Sequence, residues 1–244
     1  MIIPHGSPAK LISRATGFPQ SISPGVLSVV AKALHEAWVI ICENPTKHLA
    51  PITPGNPEED RYTDALCEIL FQWLKSADHE VDGFTGDVFD TVVRGENLSN
   101  YNQSVINKQP DIVIRLANAP LVQARRYVGL FAETKIVSKS KHISAYTNEG
   151  VARFVRGDYA WTMQDGLMVA YQKPPHQPIA KLAGKLQTDN KLLAEKDSDT
   201  FLVTSGLPPA LCGKSTHQRQ WTYAGGDKPG VIRLWHLWTL ELPD

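Results

Sequence analysis

Cysteine is scarce: the 244 residues contain three, Cys42, Cys67 and Cys212, widely spaced and odd in number. That excludes a disulfide scaffold and a Cys-rich zinc module, and it suits a reducing compartment such as the cytoplasm. The eight histidines are scattered without metal-ligand spacing, so zinc is not indicated. A signal pattern is also missing, because MIIPHGSPAK has no basic segment followed by an apolar one. The longest apolar stretch, residues 26–42, is interrupted by Lys32, His35 and Glu36, and so does not read as a membrane span. Net charge is lacking as well, with 25 acids against 25 Lys+Arg, and by itself argues for no phosphate-rich partner. The neutrality hides an asymmetry, since residues 58–96 sum to about −8 and residues 97–244 to about +6.

What is present is enough apolar content, 42%, for a sizeable core. Residues 1–22 read as an irregular arm. Ser23-Pro24 reads as a helix N-cap and first-turn proline, and Val26, Val29, Val30, Ala33, Leu34, Ala37, Trp38 and Ile41 form an apolar stripe that Asn44-Pro45 ends. TKHLAPITPGNP reads as a loop. Residues 56–77 give the clearest helix, with Tyr62, Leu66, Ile69, Leu70 and Trp73 on one face. The acidic, turn-rich segment that follows, to about Asn100, reads as a loop over the active face. DIVIRL at 111–116 and YVGLFAETKIV at 127–137 read as strands, SAYTNEGVARFVRG as a helix closed by Gly157, and GLMVAY as a further strand. A helix over 178–195 and strands at 201–205 and 231–242 complete one mixed α/β domain.

Strand alternation places Glu133 and Lys135 on one face. The connecting loop ANAPLVQARR is centred near position 121.5, so a hairpin sets Asp111 opposite position 132 or 133. Two carboxylates and an ammonium then meet at one sheet edge, a costly cluster unless a cation or a phosphate compensates it. Metal-assisted phosphodiester hydrolysis needs such a set: hard oxygens to hold Mg²⁺, and a lysine to orient or deprotonate water and to offset charge in the transition state. The Thr134 carbonyl, between the two side chains, is placed to be a further oxygen ligand. Solvated charges on a wet edge strand are the alternative.

Pro110-Asp111 followed by Glu133-Thr134-Lys135 at the end of an apolar strand resembles the PD-(D/E)XK nuclease superfamily, over about Asn56 to Tyr171. The resemblance implies a restriction-endonuclease-like central mixed sheet flanked by helices. To that fold the chain would add an N-terminal arm and helix over 1–55 and strands at the C-terminal end of a 56–244 nuclease-like domain. It implies Mg²⁺- or Mn²⁺-dependent endonuclease action on nucleic acid, DNA rather than RNA, with Asp111 and Glu133 as metal ligands and Lys135 as the catalytic lysine. Bacterial members often serve restriction or phage defence, and a homodimer or larger defence complex fits the need for two sites to cut two strands. Many members also use a glutamate from the preceding helix. Here that residue is Glu59, which equally reads as the third member of a capping box with Asn56 and with Pro57 at the first helical position.

Arg125, Arg126, Lys139 and Lys141 surround the trio and are candidate phosphate contacts or solvated loop charges. Arg153 either pairs with Glu149 at i,i+4 spacing or serves the site. His217 and Arg219, two apart, either reach a scissile phosphate or stabilise a turn. Trp221, Trp235 and Trp238 read as core. A non-cleaving nucleic-acid-binding or scaffold protein is the alternative reading of the whole chain. A Cys–His hydrolase has no support, since no cysteine sits in a nucleophile turn.

Overall fold

The computed structural model describes residues 18–55, 57–76, 80–117, 126–139, 143–175, 179–195 and 212–241. Helix α1 (Pro24–Glu43) starts as the sequence dictates: the Ser23 hydroxyl accepts from the Val26 N–H, and Pro24 opens the first turn. By length and composition α1 would pass for a membrane span. Its apolar stripe faces the protein instead, with Val30, Ala33, Ala37, Trp38 and Ile41 fully buried. Pro45–His48 forms a single helical turn where the sequence reads as loop. Helix α2 (Glu58–Lys75) begins one residue after Pro57, which occupies the N-cap position rather than the first turn.

Six strands, β1 (Phe89–Arg94), β2 (Ile112–Leu116), β3 (Leu130–Val137), β4 (Asp165–Gln172), β5 (Cys212–His217) and β6 (Ile232–Glu241), form one open mixed sheet in the order β1-β2-β3-β4-β6-β5. β3, β4 and β6 run parallel at its centre, and the outer pairings are antiparallel. Every residue of β3 is buried, which is why this strand reads as a nearly continuous apolar run. β1 lies inside the segment that reads as a loop. Its acidic flanks obscure a strand that buries only Phe89 and Val92 at the sheet margin. The strand expected at 201–205 falls outside the described residues.

One face of the sheet carries α1 and α2, joined by an aromatic cluster in which Trp38 stacks on Tyr171 at 4.8 Å and meets Tyr62 edge-on at 5.5 Å. The same buried core runs from Phe18 through α1 to Trp238, with Leu49 packed against it, so residues 18–49 belong to the body of the domain. The opposite face carries α3, which runs as Ile143–Ala145, a π turn Tyr146–Val151 and Ala152–Arg156. Gly150 lets this helix lie against β4, since a Cβ there would fall 2.4 Å from the Met168 methyl. Gly157 ends the helix at φ 73°, a left-handed cap that suits glycine. α4 (Ile179–Thr188) is shorter than the expected 178–195 helix and is followed by a 3-10 turn at Asn190–Leu192.

Candidate active site

β2 pairs with β3 at Ile112↔Ala132, and the pairing stops there. Asp111 therefore stands opposite Glu133, within the interval that the hairpin arithmetic predicts. Beyond Ala132, β3 keeps its parallel partner β4 through Val137 but has no strand on its other side. Backbone groups of Thr134 and Ile136 point into this gap, because alternate residues of a strand address the same neighbour. Two carboxylates take the place of the missing strand. Asp111 Oδ2 accepts from the Thr134 N–H at 2.7 Å and its hydroxyl at 3.0 Å, while Glu59 Oε2 accepts from the Ile136 N–H at 2.9 Å. A buried N–H left without an acceptor costs about 1–3 kcal/mol, so the exposed edge itself holds both acids in place.

Lys135 closes the arrangement. Its Nζ lies 2.9 Å from Glu59 Oε1, 2.7 Å from the Thr134 carbonyl, 3.5 Å from Glu133 Oε2 and 3.7 Å from Asp111 Oδ2. Glu59 is thus at the site and not in a capping box: both of its oxygens are engaged by β3, and Asn56 lies outside the described residues. Thr134 presents its carbonyl to the centre, while its side chain reaches back to Thr63 at 2.9 Å.

Glu133 is fully buried, and Arg153 Nη1 donates to both of its oxygens at 3.0 and 3.1 Å. Burial, reinforced by Asp111, pushes the Glu133 carboxyl up to about 7 against the opposing pull of Lys135 and Arg153. Burial opposes the Lys135 ammonium too, but Glu133, Asp111 and Glu59 outweigh it and hold the lysine above its ordinary value. The Arg153 guanidinium is likewise raised: burial opposes its charge, and Glu133 more than restores it. Arg153 pairs with Glu133 rather than with Glu149, which resolves its two readings in favour of the site. Tyr159 lies beside this pair. Sequence reasoning passed it over because it follows a helix-closing glycine and carries no motif. Burial, then Glu133, raises its phenol well above the usual range.

The cluster opens into a polar cleft of about 790 Å³, walled by Asp60 and Asp64 of α2, Arg94 and Gly95 after β1, residues 107–111, Arg153 and Tyr159. Among the residues expected to meet nucleic acid, Arg126 is exposed and held by the Asn97 carbonyl and Glu96. Lys139 is also exposed, whereas Arg125 and Lys141 lie outside the described residues. His217 and Arg219 do not reach the site. His217 is fully buried between Ser215 and the Leu192 carbonyl, and Arg219 donates to the carbonyls of Met163, Pro229, Gly230 and Val231. Both stabilise the β5–β6 end of the fold, the turn alternative that their spacing also allowed. Trp238 is core, and Trp221 and Trp235 pack at its margin.

The donor set tests whether Mg²⁺ suits the site. Among the described residues, no three His, Cys, Asp or Glu side chains stand close enough together to hold one ion, because the Lys135 ammonium sits between the acids. The donors available are nonetheless all hard oxygens: Asp111, Glu133, Glu59 and the Thr134 carbonyl. With Glu133 ionised, three carboxylates face two cations here, which leaves one negative charge. The chemistry of these donors is of the kind that Mg²⁺ or Mn²⁺ takes, but the Lys135 ammonium occupies the space between them. Neither family models nor the curated proteins nor the solved structures give a match to this chain.

Proposed function

We propose that the chain is a metal-dependent endonuclease of the PD-(D/E)XK kind, acting on DNA. The observation that carries this reading is the opened edge of β3, where Asp111, Glu133 and Glu59 converge on Lys135 beside a polar cleft. Asp111 and Glu133, with the Thr134 carbonyl and Glu59, would hold Mg²⁺ or Mn²⁺. The ion supplies Lewis-acid charge to the phosphate and acidifies water. Lys135 then donates to the attacking water or to a phosphate oxygen, and its charge offsets the negative charge gathered as the new P–O bond forms and the ester P–O bond breaks. The water gives up its proton to solvent as it attacks and the leaving oxygen takes one up, while Arg153 orients Glu133 and opposes the burial that raises its carboxyl.

A non-cleaving nucleic-acid-binding role is favoured by one feature, the Arg153–Glu133 pair, which occupies both oxygens of a ligand. Incubation of the purified protein with plasmid, linear DNA and RNA, with Mg²⁺, Mn²⁺ or chelator, divides the two. Cleavage that chelator abolishes supports the nuclease, and metal-independent binding without products supports the alternative. Restriction or phage defence is the biological setting that accords with a nuclease of this kind.

A further inference from the structure

The hydroxyl of Tyr159 is buried, and among the described residues it completes no hydrogen bond. Buried hydroxyls are nearly always satisfied, and an orphaned one costs about 1–3 kcal/mol. Its surroundings do not explain the vacancy as loose packing. The ring is 1% exposed and held edge-on by Phe154 at 5.0 Å. The hydroxyl is near enough to Glu133 and Arg153 to interact with both, yet no contact to either reaches normal hydrogen-bond geometry. The residue nevertheless contributes to the wall of the cleft beside Asp111 and Arg153.

Arg153 has a related form. One nitrogen, Nη1, is committed to Glu133, while the side chain as a whole is 35% exposed and borders the same cleft. A guanidinium carries five N–H donors in a planar fork, so the part not bound to Glu133 remains free to meet an oxyanion. A buried hydroxyl and a half-buried guanidinium thus belong to residues that line one cleft together with Asp111.

We propose that Tyr159 and Arg153 form a seat for a phosphate oxygen of the nucleic-acid backbone, Tyr159 donating its hydroxyl proton and Arg153 its free N–H groups. The inference rests on the nuclease reading and adds to it the side chains that grip the scissile phosphate. It also explains why an unpaired hydroxyl is kept at this position: its partner arrives with the substrate, and the cost in the free protein is recovered on binding.

Tyr159→Phe tests this, since it removes one oxygen and keeps the ring. Binding of a short fluorescent DNA duplex is followed by anisotropy in Ca²⁺, a hard cation with the same oxygen preference as Mg²⁺. Inorganic phosphate serves as a competitor and a thermal melt is recorded alongside. The expected result is a melting temperature equal to or above that of the wild type, because the hydroxyl completes no hydrogen bond of normal geometry, together with about five- to tenfold weaker duplex binding. Competition by phosphate should weaken in parallel. Unchanged duplex affinity overturns the seat, and so does a lowered melting temperature with affinity retained, which would assign the hydroxyl a packing role. A wild-type protein that binds the duplex while Tyr159→Phe binds it equally refutes the inference alone. A wild-type protein that binds neither duplex nor phosphate refutes the nuclease reading with it.

Discussion

Asp111 has two tasks that one substitution can separate. Its Oδ2 replaces a strand for Thr134, accepting from both the N–H and the hydroxyl, and its charge would serve a cation. Asp111→Asn keeps an acceptor oxygen, so its melt should stay close to that of the wild type while metal-dependent cleavage disappears. Asp111→Ala removes the acceptor as well and should lose about 1–3 kcal/mol of stability. Calorimetry with Mn²⁺ beside denaturant melts checks both, and Mn²⁺ affinity that is unchanged in Asp111→Asn would remove this residue from the ligand set. Lys135 stands in the opposite relation to the metal. Its ammonium sits among three carboxylates, so Lys135→Ala deletes the positive charge that competes for them. The variant should bind Mn²⁺ at least as tightly as the wild type and yet lose about 10²-fold or more in cleavage rate, the scale of a group that assists proton transfer. Wild-type turnover in Lys135→Ala would reduce the lysine to a structural counter-charge.

At the scale of elements, the strands that carry the motif were legible because they obey one simple period. DIVIRL and GLFAETKIV are apolar runs of strand length, and loop-centre arithmetic set their register to within one residue. The helix closure at Gly157 was legible for a backbone reason, its positive φ. β1 was not, since an edge strand with two buried residues leaves little pattern among acidic turns. Nor could the role of Glu59 be decided from spacing: a capping box and a reach to β3 demand the same residue at the same place, and only the Ile136 N–H, which donates to Glu59 rather than to a strand, distinguishes them. Least legible of all was the meeting of β5, β6 and α3. There Ser215 bridges His217 and His236 at 2.7 Å each, and Tyr146 meets the far side of His236 at 2.8 Å. The four side chains are fully buried, and only Ser215 and His217 are near one another in sequence, so no local pattern announces the network. Burial lowers His217 to about 4 and His236, which His217 further opposes, to about 3. Both are neutral in the fold. A depressed histidine contributes stability that is complete above its unfolded value near 6.5 and is lost as pH falls toward 4 and then 3. In ring-resolved NMR, two of the eight histidines should accordingly keep neutral-imidazole shifts at pH 5. Titration of all of them near 6.5 would show that the network does not persist in solution.

Taken whole, the molecule offers its cleft little unpaired positive charge among the described residues. Its formal charge is zero, and the cations along the cleft are each paired: Arg94 with Asp60 and Asp64, Lys108 with Asp158, and Arg153 with Glu133. On the nuclease reading, recognition would depend on close fit within this cleft rather than on long-range attraction, and the cleft contains a single set of acids. One such set would accommodate one scissile phosphate, so on the proposed function a monomer would cut one strand in each encounter. Supercoiled plasmid at low protein concentration should therefore pass first to the nicked circle. Linear product should appear later, or rise faster than in proportion as protein concentration increases and two copies act at one place. A time course of the three plasmid forms at several protein concentrations, read beside the mass of the protein by light scattering, measures this. Direct conversion to linear DNA by a species of monomer mass would contradict the one-site reading. The same conversion by a species of twice that mass would show that two copies bring their clefts to opposite strands before cutting begins.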